Sequence, residues 1–269
     1  MIALRRIGII SGKGGVGKTT LVANLGVAFT NFRRKVTLVD CNITTSHLGF
    51  CFGFHYYSKT LNHVLKNEAS LLEATYYHRS GVKIIPASLS LEDLIDLDIT
   101  KLNSVLENLE NTDILLLDSA PGFGREAMSV LKASEEVIFV TIPYLNAIAD
   151  VVRGYKIIKQ LGIKPLGIVL NMVKKDLNQL TETEVEELTE LPVIASIPFD
   201  KNVEKSLVEG IPVVLYKEYS PASIAIMKLA ANLLFEPYTP PKARIFSRIY
   251  DYLKSLFPKK PKAFELELQ

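Results

Sequence analysis

The sequence predicts an α/β domain built on a doubly wound, mostly parallel sheet, and two observations lead to this prediction. Short apolar runs alternate with stretches of helical periodicity along most of the 269 residues, as expected for parallel strands joined by crossover helices. The runs 7–10 and 113–118 are almost continuously apolar, which is typical of strands buried on both faces. We place this single domain at residues 1–236.

The order of the elements follows from local patterns. Strands are assigned to short runs rich in Val, Ile and Leu, and helices to stretches where apolar residues recur every three or four positions. Gly162 can end the helix before it, because glycine readily adopts the left-handed conformation found at helix ends. The predicted strands are 7–10, 36–40, 82–86, 113–118, 136–143, 166–172 and 193–198. The predicted helices are 21–29, a short one within 41–54, two within 60–79, then 101–109, 128–133, 147–161, 181–190, 203–209 and 221–235.

The composition excludes several classes of protein. Hydrophobic residues make up 48% of the chain, enough for a sizeable core, and the formal net charge of +2 by itself implies no nucleic-acid partner. Cys41 and Cys51 form no Cys-x-x-Cys pair, so we expect neither a disulfide scaffold nor a metal cluster. No apolar run approaches the ~18 residues of a membrane span, and no signal peptide precedes the first strand. We therefore expect a cytoplasmic protein.

A glycine-rich segment at 11–20 separates the first strand from the first helix and reads S-G-K-G-G-V-G-K-T-T. Strand, glycine-rich loop and helix is the setting of a phosphate-binding P-loop. Its glycines let backbone N–H groups approach an anion closely, and the helix N-terminus adds its dipole. Lys18 is placed to reach the β- and γ-phosphates, and Thr19 to offer its hydroxyl to Mg²⁺. The residues expected to bind the nucleotide here are Gly12, Lys13, Gly14, Gly15, Val16, Gly17, Lys18, Thr19 and Thr20.

Two acidic residues end predicted strands close to this loop. Asp40 ends the strand 36–40 and Asp118 ends the strand 113–118, and ligands of such sheets bind beyond the carboxyl ends of the strands. At that point the Asp118 carboxylate can hold Mg²⁺ through water, beside Thr19. Gly122, four residues on, permits a loop that moves with the γ-phosphate.

These motifs resemble the ParA/MinD superfamily, whose fold is the SIMIBI/MinD-like type of P-loop NTPase, over roughly residues 5–235. The second lysine of the loop, Lys13, matches the lysine that in this family crosses a dimer interface to the partner's nucleotide. The run D-S-A-P-G from Asp118 matches the family's switch II. The resemblance implies an ATPase that uses Mg²⁺ and forms an ATP-dependent homodimer. It assigns catalytic positions to Lys13, Lys18, Asp40, Asn42 and Asp118, and metal positions to Thr19, Asp40 and Asp118.

The chain departs from the family at switch I. The family has Asp-x-Asp after the second strand, and its second Asp orients the attacking water, whereas this chain has Asp40, Cys41 and Asn42. An amide can orient water but is a poor proton acceptor, and phosphoryl transfer depends more on positioning than on base strength. We therefore expect nucleotide binding to be intact and hydrolysis to be slow or absent.

Later residues match the family's base-binding positions. Asn171 ends a predicted strand where the family has an adenine-reading Asn, whose amide offers both a donor and an acceptor. Pro198 and Asp200 lie where the family places Pro-x-Asp against the purine, and the stretch 203–212 resembles the family motif that follows. Binding of adenine rather than guanine is implied by the resemblance alone.

The C-terminal stretch predicts a membrane-targeting helix. Prolines break the chain at 237–241, and at about 100° per residue the apolar residues of 242–258 fall within an arc of roughly 160°. Lysines follow within 259–269, a stretch we expect to be disordered, and cations favour an anionic lipid surface. MinD proteins carry such a helix, although packing against the domain or against a partner protein is the alternative. The predicted membrane-contacting residues are Ile245, Phe246, Ile249, Tyr250, Leu253, Leu256 and Phe257.

The sequence thus predicts an ATP-dependent switch that dimerises and binds a membrane peripherally, together with an activating or cargo protein. One alternative is a ParA-type ATPase that partitions DNA, which would need a basic patch on the folded dimer. DNA is the less expected partner because the basic residues stand out mainly around the apolar tail helix. A second alternative, suggested by Asn42, is a nucleotide-bound scaffold that does not hydrolyse ATP.

Overall fold

The computed structural model describes residues 4–174 and 178–241. The strands are β1 (Arg5–Ile10), β2 (Val36–Asp40), β3 (Tyr76–Tyr77), β4 (Lys83–Ile85), β5 (Ile114–Asp118), β6 (Glu136–Thr141), β7 (Lys164–Val173) and β8 (Val193–Pro198). The α-helices are α1 (Lys18–Asn31), α2 (Leu61–Leu65), α3 (Leu102–Leu106), α4 (Arg125–Ala133), α5 (Leu145–Gln160), α6 (Glu182–Thr189), α7 (Lys201–Val208), α8 (Val213–Tyr216) and α9 (Pro221–Leu234).

The strands of this part of the chain form one eight-stranded sheet in the order β3-β4-β2-β5-β1-β6-β7-β8. All neighbouring strands are parallel except β3, which runs antiparallel to β4 at the edge. The first strand lies inside the sheet, between β5 and β6, so the loop that follows it opens at the carboxyl edge with strand ends on both sides. The predicted fold class is confirmed.

Helices cover both faces of the sheet, and alternate residues of β5 contribute to the cores on the two faces. Ile114 and Leu116 contribute to a core with α1 and α9 on one face, whereas Leu115 and Leu117 contribute to a core with α2, α3 and α4 on the other. A third core joins β6 and β7 to α5 and α6. Because successive side chains of a strand point to opposite faces, a strand covered on both must be apolar throughout.

The prediction of two helices within 60–79 is wrong for the second of them. Only Leu61–Leu65 is helical, and Tyr76–Tyr77 forms the edge strand β3. The Tyr76 hydroxyl donates to the Lys59 carbonyl at 3.0 Å and accepts from the Lys59 N–H at 3.1 Å, which holds this segment extended against the start of α2. The short helix α8 was not predicted, because four residues are too few to show helical periodicity.

Ion pairs fasten β1 and the end of the domain. Arg5 donates to the Glu136 carboxylate at 2.7 Å, and Lys164 donates to the other oxygen of Glu136 at 3.0 Å, so one acid links three adjacent strands. Arg34 pairs with Glu236 at 2.7 Å just after α9. The compact unit ends at Tyr238. The predicted tail helix and its membrane residues, at 242–258, lie outside the described residues.

Candidate nucleotide-binding site

The P-loop residues form the turn between β1 and α1, as predicted. Gly15 and Gly17 have φ values of 76° and 89°, in the left-handed region that favours glycine. Gly17 is the residue before α1, and Lys18 is its first residue. A Cβ built on Gly15 meets no atom of the described residues within 4 Å, so the loop borders open space where an anion fits against its backbone. This is the cradle that a phosphate requires.

The P-loop is tied to the neighbouring strand ends. The Ser11 hydroxyl donates to the Lys13 carbonyl at 2.8 Å, which closes the first turn of the loop. The Gly122 N–H donates to the Ser11 carbonyl at 2.9 Å, so the loop after β5, residues 118–122 (switch II), is anchored to the P-loop. The predicted switch II and P-loop therefore lie together.

Asp40 and Asp118 are brought side by side by the register of the sheet. They are partners across the parallel pair β2 and β5, and the Cys41 N–H donates to the Asp118 carbonyl at 2.9 Å. Both side chains are buried. Since two buried carboxylates repel each other unless cations compensate them, this arrangement favours binding of positive charge.

Among the residues that the structure describes, the Asp118 carboxylate has no hydrogen-bond partner of normal geometry on either oxygen. Burial, and then the neighbouring Asp40, raise the pKa of Asp118 to about 7, although Lys18 and a contact with Thr19 oppose the rise. Burial lowers the pKa of Lys18, and the negative charges of Asp118 and Asp40 oppose this decrease. A buried carboxylate next to a hydroxyl is a hard-oxygen donor set that suits Mg²⁺. Thr19 and Asp118 therefore fit the predicted metal site.

Asp40 uses both carboxylate oxygens to organise switch I, the segment 40–48. Its Oδ1 accepts the Asn42 N–H at 3.1 Å, and its Oδ2 accepts the Ser46 hydroxyl at 2.8 Å and the His47 and Leu48 N–H groups at 3.1 Å each. Burial raises the pKa of Asp40, and these hydrogen bonds partly offset the rise. Its proposed contact with metal-bound water stays a prediction.

The Asn42 side chain is turned into switch I itself. Its Nδ2 donates to the Thr45 carbonyl at 2.9 Å, and its Oδ1 accepts the Thr45 hydroxyl at 3.0 Å. Both ends of the amide are therefore occupied by one residue of the same turn. Its predicted role in orienting water requires this turn to open.

The predicted base-binding residues line one cavity of about 150 Å³. Asn171, Pro198 and Asp200 all border it, together with Gly17 and Thr20 of the P-loop. The Asn171 Nδ2 donates to the Val16 carbonyl at 2.8 Å, which ties the end of β7 to the P-loop. A larger cavity of about 630 Å³, between α2, α3 and β3, includes none of the predicted site residues.

Two features of this cavity were not predicted. Met172 has a backbone φ of 55°, which is strained for a residue other than glycine. Its side chain lines the cavity beside Asn171. Asp200 caps α7 by accepting the Asn202 N–H at 2.9 Å, and it also accepts the Ala222 N–H at 3.2 Å. Burial raises the pKa of Asp200, but these hydrogen bonds hold the pKa below its ordinary value. Contact of Asp200 with the purine stays a prediction.

Sequence reasoning also missed Thr44 and Glu126. The Thr44 hydroxyl donates to Glu126 Oε1 at 2.9 Å, which links switch I to the first turn of α4. The two residues are 82 positions apart, so no local motif connects them. The acid in the first turn of a helix after switch II was the available signal, but it has an ordinary explanation as a partner of the helix dipole.

Lys13 extends from the P-loop and is partly exposed. Within residues 4–174 and 178–241 it forms no ion pair with its own chain. In the same part of the chain, no helix is long and apolar enough to cross a membrane.

Comparison with known proteins places the chain in a family. The ParA family model, described as the NUBPL iron-transfer P-loop NTPase, matches residues 3–234. An uncharacterized ATP-binding protein of Methanocaldococcus jannaschii is 36% identical over 253 residues, which cover 93% of this chain and 96% of that protein.

Solved structures agree with this assignment. The septum site-determining protein MinD of Pyrococcus horikoshii, complexed with Mg-ADP, has a TM-score of 0.83 and 34% identity over 86% of this chain and 96% of its own. A MinC:MinD cell division protein complex of Aquifex aeolicus contains a chain with a TM-score of 0.79 and 26% identity, over 88% of this chain and 99% of that one. With its P-loop, paired aspartates and sheet order, the chain belongs to the ParA/MinD family of P-loop NTPases and is MinD-like.

Proposed function

We propose that this protein is an ATP-dependent switch that binds Mg-ATP, forms a sandwich homodimer and associates reversibly with a membrane. The observation that carries the nucleotide part is the buried Asp118 carboxylate, which lies beside Lys18 and Thr19. Neither of its oxygens has a hydrogen-bond partner of normal geometry among the described residues. Mg²⁺ and phosphates supply the charges that this arrangement requires. The Mg-ADP complex of the related Pyrococcus protein supports the same cofactors.

Dimerisation is supported by Lys13. A lysine that belongs to the phosphate loop but forms no ion pair with the described part of its own chain is available to a phosphate of a second copy. Because the chain belongs to the ParA/MinD family, a second copy of the same chain is the natural partner. ATP would then hold two chains face to face, because each phosphate chain is contacted from both sides.

Membrane association is supported by the amphipathic pattern of 242–258, which the structure does not describe. One such helix binds lipid weakly and reversibly, whereas two helices on one dimer bind more tightly through effective concentration. ATP-dependent dimerisation would therefore control membrane binding of a protein otherwise in the cytoplasm. The MinC:MinD complex supports the further proposal of a protein partner in positioning cell-division machinery.

Sedimentation with anionic phosphatidylglycerol liposomes tests this proposal, with ATP, ADP or no nucleotide and with phosphate release followed in the same tubes. We expect pelleting that requires ATP and slow release of phosphate. The matched control lacks residues 242–269 and should bind ATP normally without pelleting. Pelleting of that truncated chain would refute the role of the tail.

A non-hydrolysing scaffold is the second candidate, and the hydrogen bonds between Asn42 and Thr45 favour it. ATP-dependent pelleting without phosphate release would support the scaffold. If no nucleotide causes pelleting but the ATP-bound protein binds DNA in a salt-sensitive manner, the membrane proposal is wrong and a DNA-partitioning ATPase replaces it.

A further inference from the structure

The contact between Thr44 and Glu126 joins switch I, which is bonded to Asp40, to the helix that follows switch II, which is bonded to the P-loop. Thr44 lies in switch I, two residues after Asn42, and its side chain is exposed to solvent. Glu126 lies in the first turn of α4, just after switch II. Their hydrogen bond of 2.9 Å fixes the direction of the Thr44 hydroxyl proton toward Glu126 Oε1. The lone pairs of Thr44 Oγ1 are therefore left to accept a proton from water.

The second carboxylate oxygen of Glu126, Oε2, is buried and has no hydrogen-bond partner among the described residues. The charged group that acts on Glu126 is Asp40, whose negative charge raises the pKa of Glu126. The neighbouring Arg125 does not neutralise it, because Arg125 pairs with Asp98 at 3.0 Å. Among the described residues no cation offsets the negative charge of this carboxylate, which contacts switch I through Thr44.

The basicity of this carboxylate fits a role in proton transfer. Burial raises the pKa of Glu126, the Thr44 hydroxyl lowers it in part, and Asp40 raises it further. A carboxylate with a raised pKa holds a proton better at neutral pH than an ordinary glutamate does.

We propose that Thr44 and Glu126 together replace the acid that switch I lacks at position 42. Thr44 is the group that meets the attacking water, and Glu126 is a positioning residue that orients the Thr44 hydroxyl and supplies the negative charge. This inference rests on the proposed ATPase function. It explains how a chain whose Asn42 amide is bonded to Thr45 can still hydrolyse ATP.

The chemical step is ordinary hydrolysis of ATP. The water oxygen bonds to the γ-phosphorus while the bond from that phosphorus to the β–γ bridging oxygen breaks, and the electron pair leaves with ADP. The proton released by water passes to Thr44 Oγ1 as the Thr44 proton passes to Glu126. Glu126 then returns its proton to solvent, so charge and atoms balance without a further reactant.

Glu126→Gln removes the negative charge but keeps the hydrogen bond, because a glutamine oxygen can still accept the Thr44 hydroxyl proton. We expect this variant to release phosphate about 10²-fold more slowly, the lower end of general acid–base effects. Its affinity for ADP with aluminium fluoride, which mimics the transition state, should fall by a similar factor, whereas its affinity for a non-hydrolysable ATP analogue should stay unchanged. Glu187→Gln, an exposed acid on α6, is the matched control and should behave as the parent.

Two further variants distinguish this role from a structural link. Thr44→Val removes the hydroxyl at nearly constant shape and should lower turnover as Glu126→Gln does, whereas Thr44→Ser should restore turnover. In an Asn42→Asp background an acid is again present, so adding Glu126→Gln should cost little. Wild-type turnover and wild-type affinity for ADP with aluminium fluoride in Glu126→Gln would overturn the inference, as would an equal loss in both backgrounds.

The affinity for the ATP analogue keeps this test apart from the proposed function. If the parent protein binds the analogue and pellets with liposomes but neither Glu126 nor Thr44 affects phosphate release, only the present inference fails. If the parent protein does not bind the analogue, both fail. Thermal melting of each variant checks that loss of fold does not imitate loss of turnover.

Discussion

Replacing Asn42 by aspartate perturbs switch I at a point where the structure gives a direction for both stability and turnover. The Asn42 amide donates to the Thr45 carbonyl at 2.9 Å and accepts the Thr45 hydroxyl at 3.0 Å. A carboxylate keeps the second hydrogen bond but cannot make the first. It also places a second negative charge close to Asp40, which already accepts the backbone N–H of residue 42.

The expected magnitude follows from these two contacts. Loss of one neutral hydrogen bond costs about 1 kcal/mol of unfolding free energy. If the turn stays closed, two oxygens face each other and the repulsion adds a comparable amount. Thr45 is exposed, so the turn can open and limit the loss. A decrease of about 1–2 kcal/mol lowers the melting temperature by roughly 2–8 °C for a domain of this size.

Turnover should change in the opposite direction. Once the carboxylate leaves the turn, it is free to orient and accept a proton from the attacking water, and we expect phosphate release to rise by up to about 10²-fold. Differential scanning fluorimetry and a phosphate-release assay measure the two effects on one preparation. Asn42→Ala is the control, because it loses both hydrogen bonds and gains no acid, so it should be destabilised without faster release. A variant Asn42→Asp as stable as the parent and no faster would refute this account.

Two other predictions concern the P-loop and pH. Gly17→Ala should reduce ATP affinity at least about tenfold, because φ is 89° and the new Cβ would lie 2.2 Å from Asn171 Nδ2; Gly162→Ala, with a φ of 69° but open space, is the control and should leave ATP affinity unchanged. Burial raises the pKa of Glu136, but the hydrogen bonds that Arg5 and Lys164 donate to it outweigh burial and hold this pKa below its ordinary value. Their contribution to stability is therefore present at neutral pH and lost as the pH falls below about 5. Acid titration followed by circular dichroism should show a steeper loss for the parent than for Glu136→Gln, and equal slopes would contradict this.

The sequence was sufficient to predict the fold class, and to place the P-loop beside the ends of β2 and β5, because both depend on local signals. The strand, glycine-rich loop and helix around Lys18 are consecutive in the chain, and Asp118 ends an unmistakably apolar strand. Once parallel pairing is assumed, the carboxyl ends of β2 and β5 must meet, so the approach of Asp40 to Asp118 followed from topology.

Other features depend on contacts that no local pattern encodes. The hydrogen bond between Thr44 and Glu126 joins residues 82 positions apart. The orientation of Asn42 toward Thr45 is a choice between rotamers of one residue, and the capping of α7 by Asp200 competes with a role at the base. The prediction of a second helix within 60–79 is wrong because Tyr76 makes hydrogen bonds to Lys59 that favour an extended chain.

The interior position of β1 has a consequence for synthesis of the protein. Arg5 pairs with Ile114, and Ile7 pairs with Glu136, so β1 is synthesised before either of its neighbours and must wait for both. Pairings this distant in sequence make folding slow and leave apolar strands exposed in the nascent chain. The P-loop is attached to β1 and takes its final position only after these pairings form. A nucleotide therefore has no complete phosphate cradle to bind until β6 has been made.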